Sequence, residues 1–210
     1  MKLPRILLAF LALSFSSMRV TAQAPAIDKT TLMEFMEDRT HGHMEFYQGI
    51  SNSTGAISFA VPVSLFVAAQ VRHDPAMTRK ALYIGESIAV SSLFTTVLKH
   101  TVNRTRPSKD YPGLIIPESS GGSPSFPSGH TSQAFSTATA LFIAYPKWYV
   151  GVPAFGWASL VGYSRMYLGV HYPSDVAAGA LLGAGSAWLT LKANQWINHQ
   201  HFKKRSLVLN

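Results

Sequence analysis

Polar and apolar positions divide the chain into a short apolar leader, a polar stretch and then five apolar blocks. Ile6 to Phe15 is apolar and follows Lys2 and Arg5, and Val20-Thr21-Ala22 offers small residues for a peptidase. This is the pattern of a secretory signal, predicted to be cleaved after Ala22; left uncleaved, it would add a sixth membrane helix. Ala26 to Thr54 is polar, with Asp28, Glu34, Glu37, Asp38 and Glu45, and its Leu32, Phe35, Met36 and Met44 fall loosely on one helical face. One or two surface helices are expected there. Beyond it come Gly55 to Val71, Ala81 to Leu98, Thr131 to Tyr145, Trp148 to Tyr163 and Val176 to Leu191. Each block is slightly short for a bilayer and carries Ser, Thr and Gly, as the interiors of membrane bundles do.

The expected fold is therefore all-α: a membrane-embedded helical bundle with five transmembrane helices. The expected domains are a signal at 1–22, a polar helical segment at 23–54, a helical catalytic domain at 55–195 and a basic cytoplasmic tail at 196–210. Charge placement agrees with this threading. If the mature N-terminus lies outside, then Arg72, Arg79, Lys80, Lys147 and the Lys203-Lys204-Arg205 tail all fall inside. The segments Lys99 to Ser128 and Arg165 to Asp175 then fall at the outer helix ends, and Ser119 to Ser125 reads as a loop.

Composition adds two constraints. Only 13% of residues are charged and 47% are hydrophobic, against roughly 25% charged in a soluble domain, although a mean hydropathy of +0.13 also suits a soluble helical protein. The formal charge of +8 suits an anionic partner, and the absence of cysteine excludes disulfides, thiolate metal sites and cysteine nucleophiles.

Three clusters carry candidate chemistry. Lys99 and Arg106 are seven residues apart, two helical turns, so a continuing helix would put both on one face, with Pro107 marking its stop. Such cations grip phosphate; they also anchor helix ends at a membrane interface. In Pro127-Ser128-Gly129-His130, Ser128 is a candidate N-cap and Gly129 lets backbone N–H groups approach an anion, with His130 at the rim to move a proton. In Ser164-Arg165, His171 and Asp175, Pro173 suits a first helical position, so Asp175 in the first turn can reach back to the His171 ring. A carboxylate holding one ring nitrogen frees the other as a nucleophile; a structural hydrogen bond has the same spacing.

Taken together, Lys99 with six residues before Arg106-Pro107, then Pro127-Ser128-Gly129-His130, then Ser164-Arg165 with five residues before His171 and three more before Asp175, resemble the three-part signature of the type-2 phosphatidic acid phosphatase (PAP2) family. The resemblance covers about Gly55 to Leu191. It implies a phosphatase acting on a lipid phosphate or diphosphate, with Lys99, Arg106, Ser128, Gly129 and Arg165 binding phosphate. It also implies His171 as nucleophile, Asp175 as its orienting partner and His130 as the acid. No cofactor, metal or nucleic acid is implied. The expected partners are the membrane and a lipid phosphate, and the expected location is a bacterial cytoplasmic (inner) membrane with the site facing the periplasm or exterior. A soluble secreted acid phosphatase, a vanadate-dependent haloperoxidase and a non-catalytic lipid-phosphate binder are the competing readings.

The remaining polar residues are read as peripheral. The pairs His41 with His43 and His199 with His201 lack a carboxylate constellation, and His100 points to another helix face than Lys99. Glu86 is expected to reach the interface or to pair with Lys80, and Asn52-Ser53-Thr54 and Asn103-Arg104-Thr105 match a glycosylation sequon incidentally.

Overall fold

The computed structural model describes residues 26–37, 39–118 and 122–208, with side chains as far as residue 197. The expected signal lies outside the described residues. Those described form helices and connecting turns with no strand: α1 (Ala26–Glu37), α2 (His41–Val71), α3 (Pro75–Val102), α4 (Pro107–Asp110), α5 (Gly129–Ala144), α6 (Trp148–Tyr167) and α7 (Pro173–Val208).

Local chemistry sets the boundaries. Thr40 caps α2, its side chain accepting from the His43 N–H. No breaker follows until Val71, so α2 runs unbroken through Gly55, where a change from a polar surface helix to an apolar one was expected. Pro62 lies inside it. The Asp74 carboxylate caps α3 by accepting from Ala76 and Met77 N–H, with Pro75 in the first helical position. α3 ends where Asn103 takes the left-handed conformation (φ 49°), a conformation asparagine tolerates.

α5 lies at the centre, packed against α3, α6 and most closely α7, and α2 crosses α3, α5 and α6. Its neighbours approach through small side chains. At Gly183 of α7 an added Cβ would sit 2.2 Å from the Ser132 carbonyl oxygen, and at Gly179 2.7 Å from that of Ser128. The buried interior is rich in Ser87, Ser91, Ser132, Ser136, Thr137 and several alanines, with hydroxyls bonded across helices: Thr95 to Ser132 at 2.5 Å, Ser136 to the Ser87 carbonyl at 3.0 Å. Large apolar side chains such as Phe59, Val67, Leu82, Leu93, Val152 and Leu181 point outward instead. That inversion suits an apolar solvent, in which close backbone approach and interhelical hydrogen bonds hold helices together.

Among the described residues three helical segments are long and apolar enough to cross a membrane, His41–Val71, Pro75–Asp110 and Pro173–Ile197, the second taking in α3, the turn at Asn103 and α4. α5, at 16 residues, measures about 24 Å against a hydrocarbon core of about 30 Å. Glu86, expected to reach the interface or to pair with Lys80, is exposed and accepts from the Asn194 side-chain amide at 2.6 Å, while Lys80 lies over the Tyr145 ring.

Gly183→Ala is expected to destabilise the detergent-solubilised protein by about 1–3 kcal/mol, because the new methyl meets backbone that cannot step aside. Gly185→Ala, with no described atom within 4 Å of its Cβ, is the control. Thermal unfolding of both variants checks the difference.

Candidate active site

One end of the bundle gathers the C-terminus of α3, the turn before α5, the C-terminus of α6 and the N-terminus of α7. Asp175, in the first turn of α7 and fully buried, is the hub. Its Oδ1 accepts from Arg104 at 2.7 Å, and its Oδ2 accepts from the Tyr172 N–H at 3.0 Å and from the Ser125 hydroxyl in a short hydrogen bond. The Asp175 carbonyl accepts from the Ser128 N–H at 3.0 Å, which joins the turn before α5 to α7.

His171 lies in the turn ahead of α7, 2% exposed, with its backbone N–H donating to the Arg165 carbonyl. Its Nδ1 is 3.5 Å from Asp175 Oδ2 and has no hydrogen-bond partner among the described residues. The expected pairing is thus present in placement and loose in geometry, since the carboxylate's hydrogen bonds go to Arg104, Ser125 and Tyr172. Catalytic hydrogen bonds are commonly long before substrate binds. Burial pushes the His171 imidazole down to about 3, with the Arg106 and Arg165 charges adding to the shift and Asp175 opposing it. The ring is therefore neutral at pH 7, the state a nucleophile requires.

Arg106 and Arg165 lie close enough to act on this ring and, together with Lys99, on His130. Lys99 Nζ donates to the Pro124 carbonyl at 2.5 Å. Arg106 donates to the Ser123 carbonyl at 2.8 Å and to the Val170 carbonyl at 2.9 Å. Arg165 donates to the Ser51 hydroxyl of α2 in a short hydrogen bond. The charges of Arg165, Arg106 and Lys99 all act on His130, the second residue of α5.

Two local expectations need correcting. The helix carrying Lys99 does not continue to Arg106: it stops at Val102, the Asn103 turn redirects the chain, and Pro107 opens the short α4. Arg106 therefore reaches the site from a turn. Ser128 occupies the N-cap position of α5 but makes no capping bond; its hydroxyl pairs with that of Thr131 at 2.8 Å. Gly129 sits against Lys99, its would-be Cβ 3.8 Å from Lys99 Cε.

Sequence reasoning overlooked Arg104, Ser125, Ser51 and Asp28. Arg104 was passed over as the middle of a sequon, although two arginines flanking one residue just past a helix end are a legible signal. Ser51 and Asp28 carry no local signal at all. His41 faces Glu45 at 3.7 Å on an exposed surface, and His43 lies 3.5 Å from the Tyr167 hydroxyl. Among the described residues no group of three or more His, Asp or Glu is placed to hold a metal ion.

A family profile described as the PAP2 superfamily matches residues 80–199, more than half of the chain. The chain belongs to the PAP2 superfamily. Among curated proteins it is 35% identical over 97 residues to a lipid A 4'-phosphatase of Bacteroides thetaiotaomicron, covering 44% of this chain and 43% of that one. It is 34% identical over 119 residues to an undecaprenyl-diphosphatase of Sulfolobus acidocaldarius, covering 55% and 56%. The chain thus spans about half the length of these relatives. Among solved structures, LpxE of Aquifex aeolicus superposes with a TM-score of 0.66 at 26% identity, over 80% of this chain and 96% of that one. A transmembrane PAP2-type phosphatidylglycerolphosphate phosphatase from Bacillus subtilis superposes with a TM-score of 0.68 at 24% identity, over 91% and 94%, a likeness of fold. The matched PAP2 region holds all three clusters, and it leaves α1 and α2 outside.

The His171 shift has a consequence for stability. The folded ring stays neutral to about pH 3, whereas the unfolded chain takes up the proton near pH 6.5, so between these values the unfolded state binds more protons and stability falls as pH falls. By pH 5 the loss from this group is about 2 kcal/mol. His171→Asn should lack it: the stability difference between wild type and variant, followed by thermal unfolding, should shrink by that amount from pH 7.5 to pH 5. A constant difference would mean that the folded ring titrates as it does in the unfolded chain.

Proposed function

We propose that this PAP2 chain hydrolyses a lipid phosphate monoester or diphosphate through a phosphohistidine on His171. The observation that carries this reading is the placement of His171 Nδ1 at 3.5 Å from the buried Asp175 carboxylate, with Lys99, Arg106 and Arg165 gathered around the same pocket. Asp175 orients the ring through Nδ1 and leaves Nε2 to attack phosphorus, by the logic of a nucleophile oriented by a third group.

In the first step the N–P bond forms as the bond from phosphorus to the leaving oxygen breaks, and His130 delivers a proton to that oxygen. The three cations, with Ser128 and the Gly129 N–H, hold the phosphoryl oxygens as charge spreads over them, where most of the catalysis of such transfers arises. Water then attacks phosphorus, His130 takes its proton, and the N–P bond breaks to release inorganic phosphate. Three cations around the anion supply the electrostatic stabilisation this scheme requires.

A lipid substrate is favoured by the outward apolar surface, which also weighs against a soluble secreted phosphatase, and by the relatives that act on lipid A and undecaprenyl diphosphate. In this reading α2, α3, α5, α6 and α7 are five membrane helices following the signal, with the site at their outer ends, facing the periplasm across a bacterial inner membrane. An apolar cleft lined by Ile57, Val61, Leu141, Val150 and Trp157 lies between α2, α5 and α6. Trp157 is eight residues below Arg165 on α6, about 12 Å along the helix, within reach of a hydrocarbon chain whose phosphate sits at the arginine. The candidate substrates are a polyprenyl diphosphate, phosphatidic acid, phosphatidylglycerol phosphate and a lipid A phosphate.

Phosphate release by the detergent-purified full chain, with EDTA present, should occur on at least one of these four lipids, exceed that on a soluble aryl phosphate, and fall at least about 1,000-fold in His171→Ala. Release unaffected by the substitution would reject the phosphohistidine. Absence of release on every substrate would reject the phosphatase.

A further inference from the structure

Two buried charged groups beside the site take no part in the mechanism above, and they are bound to each other. Arg104 and Asp28 are both buried, at 8% and 1% exposure, and Arg104 donates to Asp28 Oδ2 at 2.9 Å. The other arm of the same guanidinium donates to Asp175 Oδ1 at 2.7 Å and to the Ser174 hydroxyl at 2.7 Å. Its face lies 4.1 Å from the centre of the Tyr172 ring. Asp28 in turn accepts from the Ser174 N–H at 3.0 Å and from the Ser174 hydroxyl in a short hydrogen bond, so it also anchors the first turn of α7, the turn that bears Asp175.

Asp28 belongs to α1, outside the matched PAP2 region, and α1 is seated so that the carboxylate can make these bonds. Leu32, one turn further along, packs on Ile115 and Tyr172, and the Lys29 ammonium lies 5.0 Å from the Tyr111 ring centre. Two buried carboxylates thus share one guanidinium. If Asp28 were neutral, Arg104 would have Asp175 as its sole charged acceptor among these contacts and would be free to turn both arms onto it, drawing Oδ2 off the His171 ring. A buried network of this kind acts as a unit, and its members do not contribute independently.

We infer that Asp28 is a positioning residue of the catalytic centre, acting through Arg104 and Ser174 to hold Asp175 against His171, so that α1 is a working part of the enzyme. The inference rests on the phosphatase reading for its kinetic consequence, and on geometry alone for its structural one.

The test compares the full-length wild type with Asp28→Asn, Asp175→Asn and the double variant. On the lipid that the wild type hydrolyses best, Asp28→Asn should lower kcat by roughly 10- to 100-fold, as loss of a group supporting the first line of contacts commonly does, and leave KM within about twofold. The double variant should be no slower than Asp175→Asn by more than about twofold, since both changes break one linkage. A scaffold role for Asp28 would instead lower the unfolding temperature and multiply the two losses, and unchanged kcat or multiplied losses overturns the inference. A second measurement needs no turnover: the ¹⁵N resonances of the His171 ring should move in Asp28→Asn in the direction they move in Asp175→Asn. Unmoved resonances overturn the inference whether or not any substrate is hydrolysed, whereas an inactive wild type with moved resonances overturns the phosphatase reading alone.

Discussion

A carboxylate with no access to water must be surrounded by donors, and one end of this bundle is arranged around that requirement at Asp175. Arg104 arrives from the turn after α3, Ser125 from the long connection, the Tyr172 N–H from the turn before α7, and the Ser128 N–H joins the same residue through its carbonyl. An unpaired charge at this depth would cost several kcal/mol, so these segments are held in mutual register by a single demand. His171 and the α5 N-terminus inherit their positions from it.

The same end of the molecule solves an electrostatic problem of the opposite sign. Lys99, Arg106 and Arg165 lie near one another and repel, and each is steadied by oxygen atoms of its surroundings: the Pro124, Ser123 and Val170 carbonyls and the Ser51 hydroxyl. The supporting oxygens come from segments far apart in sequence, including α2, which lies before the region shared with the PAP2 profile. Below this polar cap the bundle relies on small residues and interhelical hydroxyl bonds, so that the helix ends bearing the charges are spaced by backbone contact at Gly179 and Gly183. Close backbone contact tolerates little adjustment, and the placement of the charges is accordingly firm.

The sequence disclosed the helical class and the three clusters because both depend on short-range patterns: apolar blocks, a proline at a helix start, a glycine beside a histidine. It disclosed less where the outcome turned on a single dihedral or a distant partner. The left-handed turn at Asn103 ends α3 four residues before Arg106, and nothing in the hydropathy pattern distinguishes that turn from one more helical residue. The continuation of α2 through Gly55 followed from an early cap at Thr40, whereas the change in composition near residue 54 suggested a break. Asp28 looked like one of several acids on a polar helix, and its burial depends on Arg104, 76 residues away.

The carbonyl oxygens that occupy Lys99 and Arg106 carry a further consequence. Under the phosphatase reading, a phosphate arriving in this pocket does not meet bare charge; it trades places with amide oxygens already there, so part of its attraction is cancelled by the contacts it displaces. On the same reading the exchange runs both ways. When inorganic phosphate leaves, Pro124, Ser123 and Val170 stand ready to refill the vacated positions, and the polypeptide itself acts as a resident competitor that discourages the spent product from lingering. A pocket built this way gives up ground-state affinity and gains turnover.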